Sequence, residues 1–250
     1  MKKTATRFEP TGITMSKPFN RPPAAEKAIH GFTLLEILLA MFILSFVVSL
    51  VFGSFNSIFS SADHVNINSD LIEMGDACLN HMKADLESVH VSLYPRYKPP
   101  DIDDEPELYR FEGKEEMIGG NSFAKLRFTS LAHLPLNHQS SQGIAEIVYY
   151  VISTDDAGFV LKRSDHLYPY PEFKENPLDP SLCEQVRTFK VVYYDQKGDE
   201  RDAWDSESDD FDYNTPGSVS IQLSLGSEEN NFEFKTELLL PMQRQQPEKK

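Results

Sequence analysis

A single carboxylate stands near the start of the most apolar stretch of this chain. From Phe32 to Phe52 the residues read FTLLEILLAMFILSFVVSLVF, about 20 in a row and long enough to cross a bilayer as a helix, and Glu36 is their one charge. A carboxylate there costs on the order of a few kcal/mol unless it reaches the interface or meets a cation. Both readings stay open from the residues alone. The other groups able to do chemistry are sparse. Cys78 and Cys183 are too far apart for a CxxC redox pair or a zinc knuckle. Histidines 30, 64, 81, 90, 133, 138 and 166 show no HExxH or other close metal spacing. No GxSxG, phosphate-binding loop or dinucleotide fingerprint occurs. The acidic run Asp199 to Asp212 fails as an EF-hand: counting from Asp210, the sixth position is Thr215 rather than Gly and the twelfth is Ile221 rather than Glu. It reads as a solvated acidic loop. The residues therefore point to no catalytic group, no metal and no cofactor, and the chain is not read as an enzyme.

Charge decides orientation and excludes a class of partner. With 39 acidic and 24 basic residues and a net charge of -15, the protein would repel a nucleic acid rather than bind it. The basic side chains before Phe32 are Lys2, Lys3, Arg7, Lys17, Arg21 and Lys27, against only Glu9 and Glu26. A basic flank on one side of an apolar span leaves that side in the cytoplasm and puts the rest of the chain beyond the inner membrane. A cleaved secretory signal fits poorly, because the apolar run is too long and ends in Gly53-Ser54-Phe55-Asn56 without a small-x-small site. In the oxidising compartment so implied, Cys78 and Cys183 are either bridged or two separate buried thiols.

The string Gly31-Phe32-Thr33-Leu34-Leu35-Glu36, behind a basic leader and ahead of an unbroken apolar helix, resembles the processing site of type IV prepilins and type II secretion pseudopilins. The resemblance implies that a membrane-embedded aspartic peptidase cuts after Gly31 and methylates the new amine of Phe32. Glu36 is then the fifth residue of the mature chain. The chemistry suits the spacing: the amine and Glu36 lie about one helical turn apart and can neutralise each other, within a chain or between neighbours in the lipid. The leader spans residues 1–31 from Met1, or is shorter from Met15, which still keeps Lys17, Arg21 and Lys27.

The elements that must position these groups follow from periodicity. Leu71, Met74, Cys78, Met82, Leu86 and Val89 recur at three- and four-residue steps, with Asp70, Glu73, Asp76, Lys83 and Asp85 largely elsewhere. This predicts an N-terminal helix over 32–93, spanning the membrane over about 32–53 and amphipathic beyond, stopped by Tyr94-Pro95. An acidic, proline-bearing loop follows from Pro99 to Pro106. Thereafter the period changes to two, with strands expected at Ala124 to Thr129, Ile147 to Ile152, Phe159 to Arg163, Thr188 to Tyr194, Val219 to Leu225 and Phe232 to Leu238. The predicted class is α+β: a long helix packed on antiparallel sheet over 94–241, with a polar, disordered tail over 242–250. Cys78 falls on the helix face that meets the sheet and Cys183 precedes a strand. A bridge between them would close a loop of about a hundred residues and contribute roughly 2 to 4 kcal/mol. Trp204, the only tryptophan, is either a partner contact or an aromatic packed on the sheet.

Three regions beyond the anchor are similar to the minor pseudopilin J family of type II secretion systems. They are the helical segment Cys78 to Leu86, the pair Val148-Tyr149-Tyr150 and Val160 to Arg163, and a C-terminal block. The block runs through Val186 to Phe189, Tyr193-Tyr194-Asp195, Trp204-Asp205, Pro216 to Ile221 and Leu238 to Pro241. The sequence departs from that pattern in the unusually acidic Asp205 to Tyr213 and the long, proline-rich Tyr168 to Pro180. The resemblance implies a long helix wrapped by antiparallel sheet. It also implies a place beside the minor pseudopilins I and K at the tip of a periplasmic pseudopilus that moves folded proteins toward the outer-membrane channel. A minor pilin of a type IV pilus or DNA-uptake machine shares the logic of Phe32 to Phe52. A membrane-tethered periplasmic enzyme or ligand-binding domain would instead show a deep pocket with convergent polar groups.

Overall fold

Leu34 to Glu87 form one 54-residue helix, α1, that begins in the apolar run and ends in the amphipathic one. The computed structural model describes residues 31–100, 107–134, 143–155, 158–228 and 230–246; between 56 and 67 it describes only the backbone. The basic leader before Gly31, the acidic stretch 101–106 and tail residues 247–250 lie outside the described residues. The chain divides into two units, one ending at Ser57 and one beginning at Ile58. In the first, Leu34–Phe55 is a 22-residue helical stretch of mean hydropathy 2.7 with its side chains exposed, long and apolar enough to cross a membrane.

In the second unit, α1 buries Leu71, Cys78, Leu79, Met82 and Leu86, the stripe that the three- and four-residue spacing predicts. Gly75 lies on the same face because the ring of Phe234 occupies the space a Cβ would need. Two details differ from the sequence reading. Asp85 belongs to the buried face and not to the solvated one, being 2% exposed. The helix also stops at Glu87, ahead of Leu93 and the Tyr94-Pro95 step. After Glu87 the backbone leaves the helical ladder for an extended pairing: His90 N–H donates to the Thr129 carbonyl at 2.8 Å, and Leu131 N–H to that of Ser88 at 2.9 Å. Those bonds satisfy groups that another helical turn would have left facing the sheet.

The rest is antiparallel sheet in two layers. One sheet holds β1 (Glu112–Ile118), β2 (Asn121–Ser130), β3 (Ala145–Thr154), β4 (Gly158–Leu167), β5 (Ser181–Cys183) and β8 (Trp204–Asp205) in the order β5-β4-β3-β2-β1-β8. The other holds β6 (Val186–Tyr194), β7 (Glu200–Arg201), β9 (Ser218–Gly226) and β10 (Asn231–Leu239) in the order β10-β9-β6-β7. Inward side chains of both, such as Phe128, Ile147, Tyr149, Phe189 and Ile221, share one core with the helix stripe. The six predicted strands lie within β2, β3, β4, β6, β9 and β10, so the α+β class stands.

β1 escaped the sequence reading because its inward position is a glycine. Gly113 faces the phenol of Tyr193, whose oxygen fills the volume of the missing Cβ, and of the rest of EGKEEMI only the terminal Ile118 is an apolar residue packed against the core. β3 shows no alternation because it is covered on both faces. The proline-rich segment after Tyr168 straps its outer side: Tyr150 OH donates to Asp179 Oδ2 at 2.9 Å and accepts from Asn176 N–H at 3.1 Å, while Lys162 Nζ donates to the Pro177 and Asp179 carbonyls at 3.0 and 2.7 Å. Phe173 stands edge-on to Tyr150. The hydroxyl of Tyr193 is buried and without a hydrogen-bond partner. Gly113→Ala is therefore expected to lower stability in denaturant unfolding by about 1 to 3 kcal/mol through overpacking. Tyr193→Phe, which removes the unsatisfied hydroxyl, should leave stability unchanged or raised and should reduce the Gly113→Ala loss when the two are combined.

Candidate processing and assembly site

Gly31 meets no demand of this fold. Among the described residues a Cβ built on it touches nothing within 4 Å, and it does not occupy the left-handed region that favours glycine. Two residues on, Thr33 caps α1. Its hydroxyl accepts the Glu36 N–H at 3.2 Å, and Glu36 Oε2 accepts both the Thr33 N–H at 2.9 Å and the Thr33 hydroxyl at 3.0 Å. This reciprocal pattern is a capping box, threonine at the cap and glutamate at the third helical residue. The Thr-x-x-Glu spacing that signals this cap is present in the sequence, where the lone charge in an apolar run is the more prominent feature. The Glu36 carboxylate therefore has donors of its own within the first turn.

In the second unit a guanidinium and two carboxylates are buried together. Arg163 on β4 donates from Nε to Asp85 Oδ2 at 2.7 Å, from Nη1 to Asp165 Oδ2 at 2.6 Å, and from Nη2 to the Ala132 carbonyl at 3.1 Å. Tyr149 on β3 donates its hydroxyl to Asp85 in a short hydrogen bond. Asp165 also accepts the Leu134 N–H at 2.9 Å and lies 2.7 Å from His133 Nδ1. Burial alone would lower the Arg163 pKa, but its bonds to Asp85 and Asp165 win and raise it. Burial would raise that of Asp165, yet the Leu134 N–H, His133 and Arg163 hold it below the ordinary carboxylate range. Burial and the neighbouring Asp85 charge push the Tyr149 phenol well up. Beside this relay, the sulfurs of Cys78 and Cys183 lie 3.5 Å apart in the core.

Three separate sequence segments thus converge. Asp85 comes from the helical segment after Cys78, Tyr149 from Val148-Tyr149-Tyr150, and Arg163 from the strand begun at Val160. In a comparison with known families, residues 53–231, well over half the chain, match the family described as Type II secretion system (T2SS), protein J. The chain belongs to the protein J family. Residues 27–52 match the Prokaryotic N-terminal methylation motif. No match was found among curated proteins. The chain is accordingly a minor pseudopilin of the type II secretion system, a family of structural subunits, and its basic leader and apolar span are prepilin features.

In this J-family domain Trp204 is a packing residue. It is 3% exposed, its Nε1 donates to the Asn214 carbonyl at 2.9 Å, and its ring lies 4.8 Å from that of Phe211. The acidic run Asp199 to Asp212 is held by the chain's own groups, as where Asp205 Oδ1 accepts the Glu207 N–H at 2.9 Å and the Ser208 hydroxyl accepts the Asp210 N–H at 3.2 Å. Among the described residues no group of three or more His, Cys, Asp or Glu is placed to hold a metal. Composition read the tail as disordered from 242 on, but Arg244 is fully buried. Its guanidinium stacks 3.4 Å over Tyr97, pairs with Glu207 Oε1 at 2.6 Å and donates through Nε to the Tyr213 carbonyl at 2.8 Å. Nothing in the polar run around Arg244 announced this, since its partners lie far away in sequence.

Asp165 gives the domain an acid dependence of defined sign. Its depressed pKa contributes stability that is present above its ordinary value near 3.8 and lost as pH falls through the lower folded value. The parent's stability against denaturant should fall progressively below about pH 4. Asp165→Asn should be less stable at pH 7, with a shallower further loss over the acidic range.

Proposed function

We propose that this minor pseudopilin is cleaved after Gly31 by the prepilin peptidase, methylated on Phe32, and assembled from the inner membrane into the pseudopilus with the minor pseudopilins I and K. Its C-terminal domain then lies in the periplasm and supports export of folded proteins across the outer membrane. The observation that carries the processing step is Gly31: nothing among the described residues around it calls for glycine, whereas a peptidase cleft that admits no side chain at the cut would. The match of residues 27–52 to the methylation motif supports the same reading. The basic leader supports the orientation. On cleavage, the Phe32 amine competes with the Thr33 donors for Glu36, and in lipid a full positive charge is the stronger partner.

The intact mass and N-terminal sequence of chains recovered from membranes test the first step. Mature protein should begin at N-methylated Phe32, and Gly31→Val should accumulate as the full-length precursor because a branched side chain clashes at the cut. Normal maturation of that variant would end the peptidase reading.

The capping box makes a sharper test of Glu36 available. Glu36→Gln keeps an acceptor for Thr33 but no charge, whereas Glu36→Ala loses both. If charge pairing with an amine drives recruitment, both variants should be cleaved normally, yet cross-link poorly to partner pseudopilins and fail to support secretion. A Gln variant that assembles and secretes like the parent, beside a defective Ala variant, would reduce Glu36 to a helix cap.

A further inference from the structure

Cys78 and Cys183 lie 105 residues apart in sequence and yet place their sulfurs 3.5 Å apart, each side chain 2% or less exposed. Cys78 sits on the buried stripe of α1, one turn before Met82. Cys183 ends β5, a three-residue edge strand joined to its sheet only through Leu161↔Cys183 and Lys162↔Ser181. Immediately afterwards Gln185 takes a left-handed conformation and Val186 opens β6 of the other sheet. Cys183 therefore marks the crossover between the two sheets, where backbone pairing is thinnest, and it faces the helix there. Two thiols serving only as small apolar filler would have no reason to meet at this junction. A shift of about 1.5 Å, shared between two side chains, brings the sulfurs to the disulfide bond length.

We propose that Cys78 and Cys183 are joined in an intramolecular disulfide that staples α1 to the sheet crossover, made by an oxidised thiol–disulfide oxidoreductase of the periplasm. The inference rests on the periplasmic placement proposed above. Cys78, the first to enter that compartment, attacks the enzyme's disulfide as thiolate and forms a mixed disulfide. The Cys183 thiolate then attacks the Cys78 sulfur, closes the bond and releases the enzyme as a dithiol. Two electrons and the two thiol protons of the substrate pass to the enzyme's sulfurs, so the exchange balances.

The bond forms before the helix docks. In the docked dithiol, the hydrogen bond to Cys78 and burial push the Cys183 thiol far up, leaving neither thiolate nor access for an oxidant. The same burial then shields the finished bond from reductants until the domain unfolds.

The test uses the full mature chain recovered from inner membranes, denatured and treated with a heavy maleimide with and without prior reduction. A parallel sample of intact spheroplasts is treated with protease. The expected result is no maleimide added without reductant, two added after reduction, a monomer on non-reducing gels, and a domain degraded in spheroplasts. Two maleimides added without reductant, or a reductant-sensitive dimer, would overturn the staple. If free thiols accompany a protease-accessible domain, the disulfide alone fails; if they accompany a protected domain, the periplasmic placement fails with it.

Discussion

Arg163 has been taken out of water on a central strand, and a buried guanidinium demands carboxylates. Asp85 from the last turn of α1 and Asp165 from two residues along the same strand supply them, with Tyr149 and the Ala132 carbonyl completing the shell. Removing one partner from such a cluster typically costs about 3 to 5 kcal/mol, because a charge is left uncompensated in the core. The geometry is directional in a way that apolar packing is not. It sets the rotation of the helix about its own axis and its height on the sheet. With Asp85 so fixed, Met82 and Cys78 fall one and two turns back on the same buried face, and Gly75 meets Phe234.

From that anchor the domain closes in both directions by threading polar groups across its own surface. The strap after Tyr168 covers the outer face of β3 with carbonyls that Lys162 and Tyr150 bind. The final segment brings Arg244 to Tyr97, Glu207 and the Tyr213 carbonyl. In an acidic protein these are the cations that matter structurally, since each is desolvated and each is met by anions or carbonyls.

The amino-terminal group follows the opposite logic. Gly31 and Glu36 belong to a stretch whose side chains are exposed, so burial in a core explains neither residue type. Thr33 and Glu36 form a closed local unit, so the carboxylate is oriented at the first turn of the helix by its own neighbours.

The sequence by itself determined whatever depends on neighbours along the chain: the apolar span, the cleavage-site string, the buried stripe of α1, and the strands whose inner faces alternate. Those signals are local periodicities, and hydrophobic burial follows them directly. Tertiary structure alone decided the features whose partners are remote. β1 hides its inward position in a glycine because Tyr193 fills it from the other sheet, and β3 lost its alternation to a strap some twenty residues further on. Asp85 looked like a solvated charge until Arg163 arrived from a strand 78 residues away. Arg244 looked like tail until Tyr97 and Glu207 enclosed it. A charged side chain is buried only when its counter-charge is brought to it, and that pairing is made by the folded topology, where no periodicity in the sequence records it.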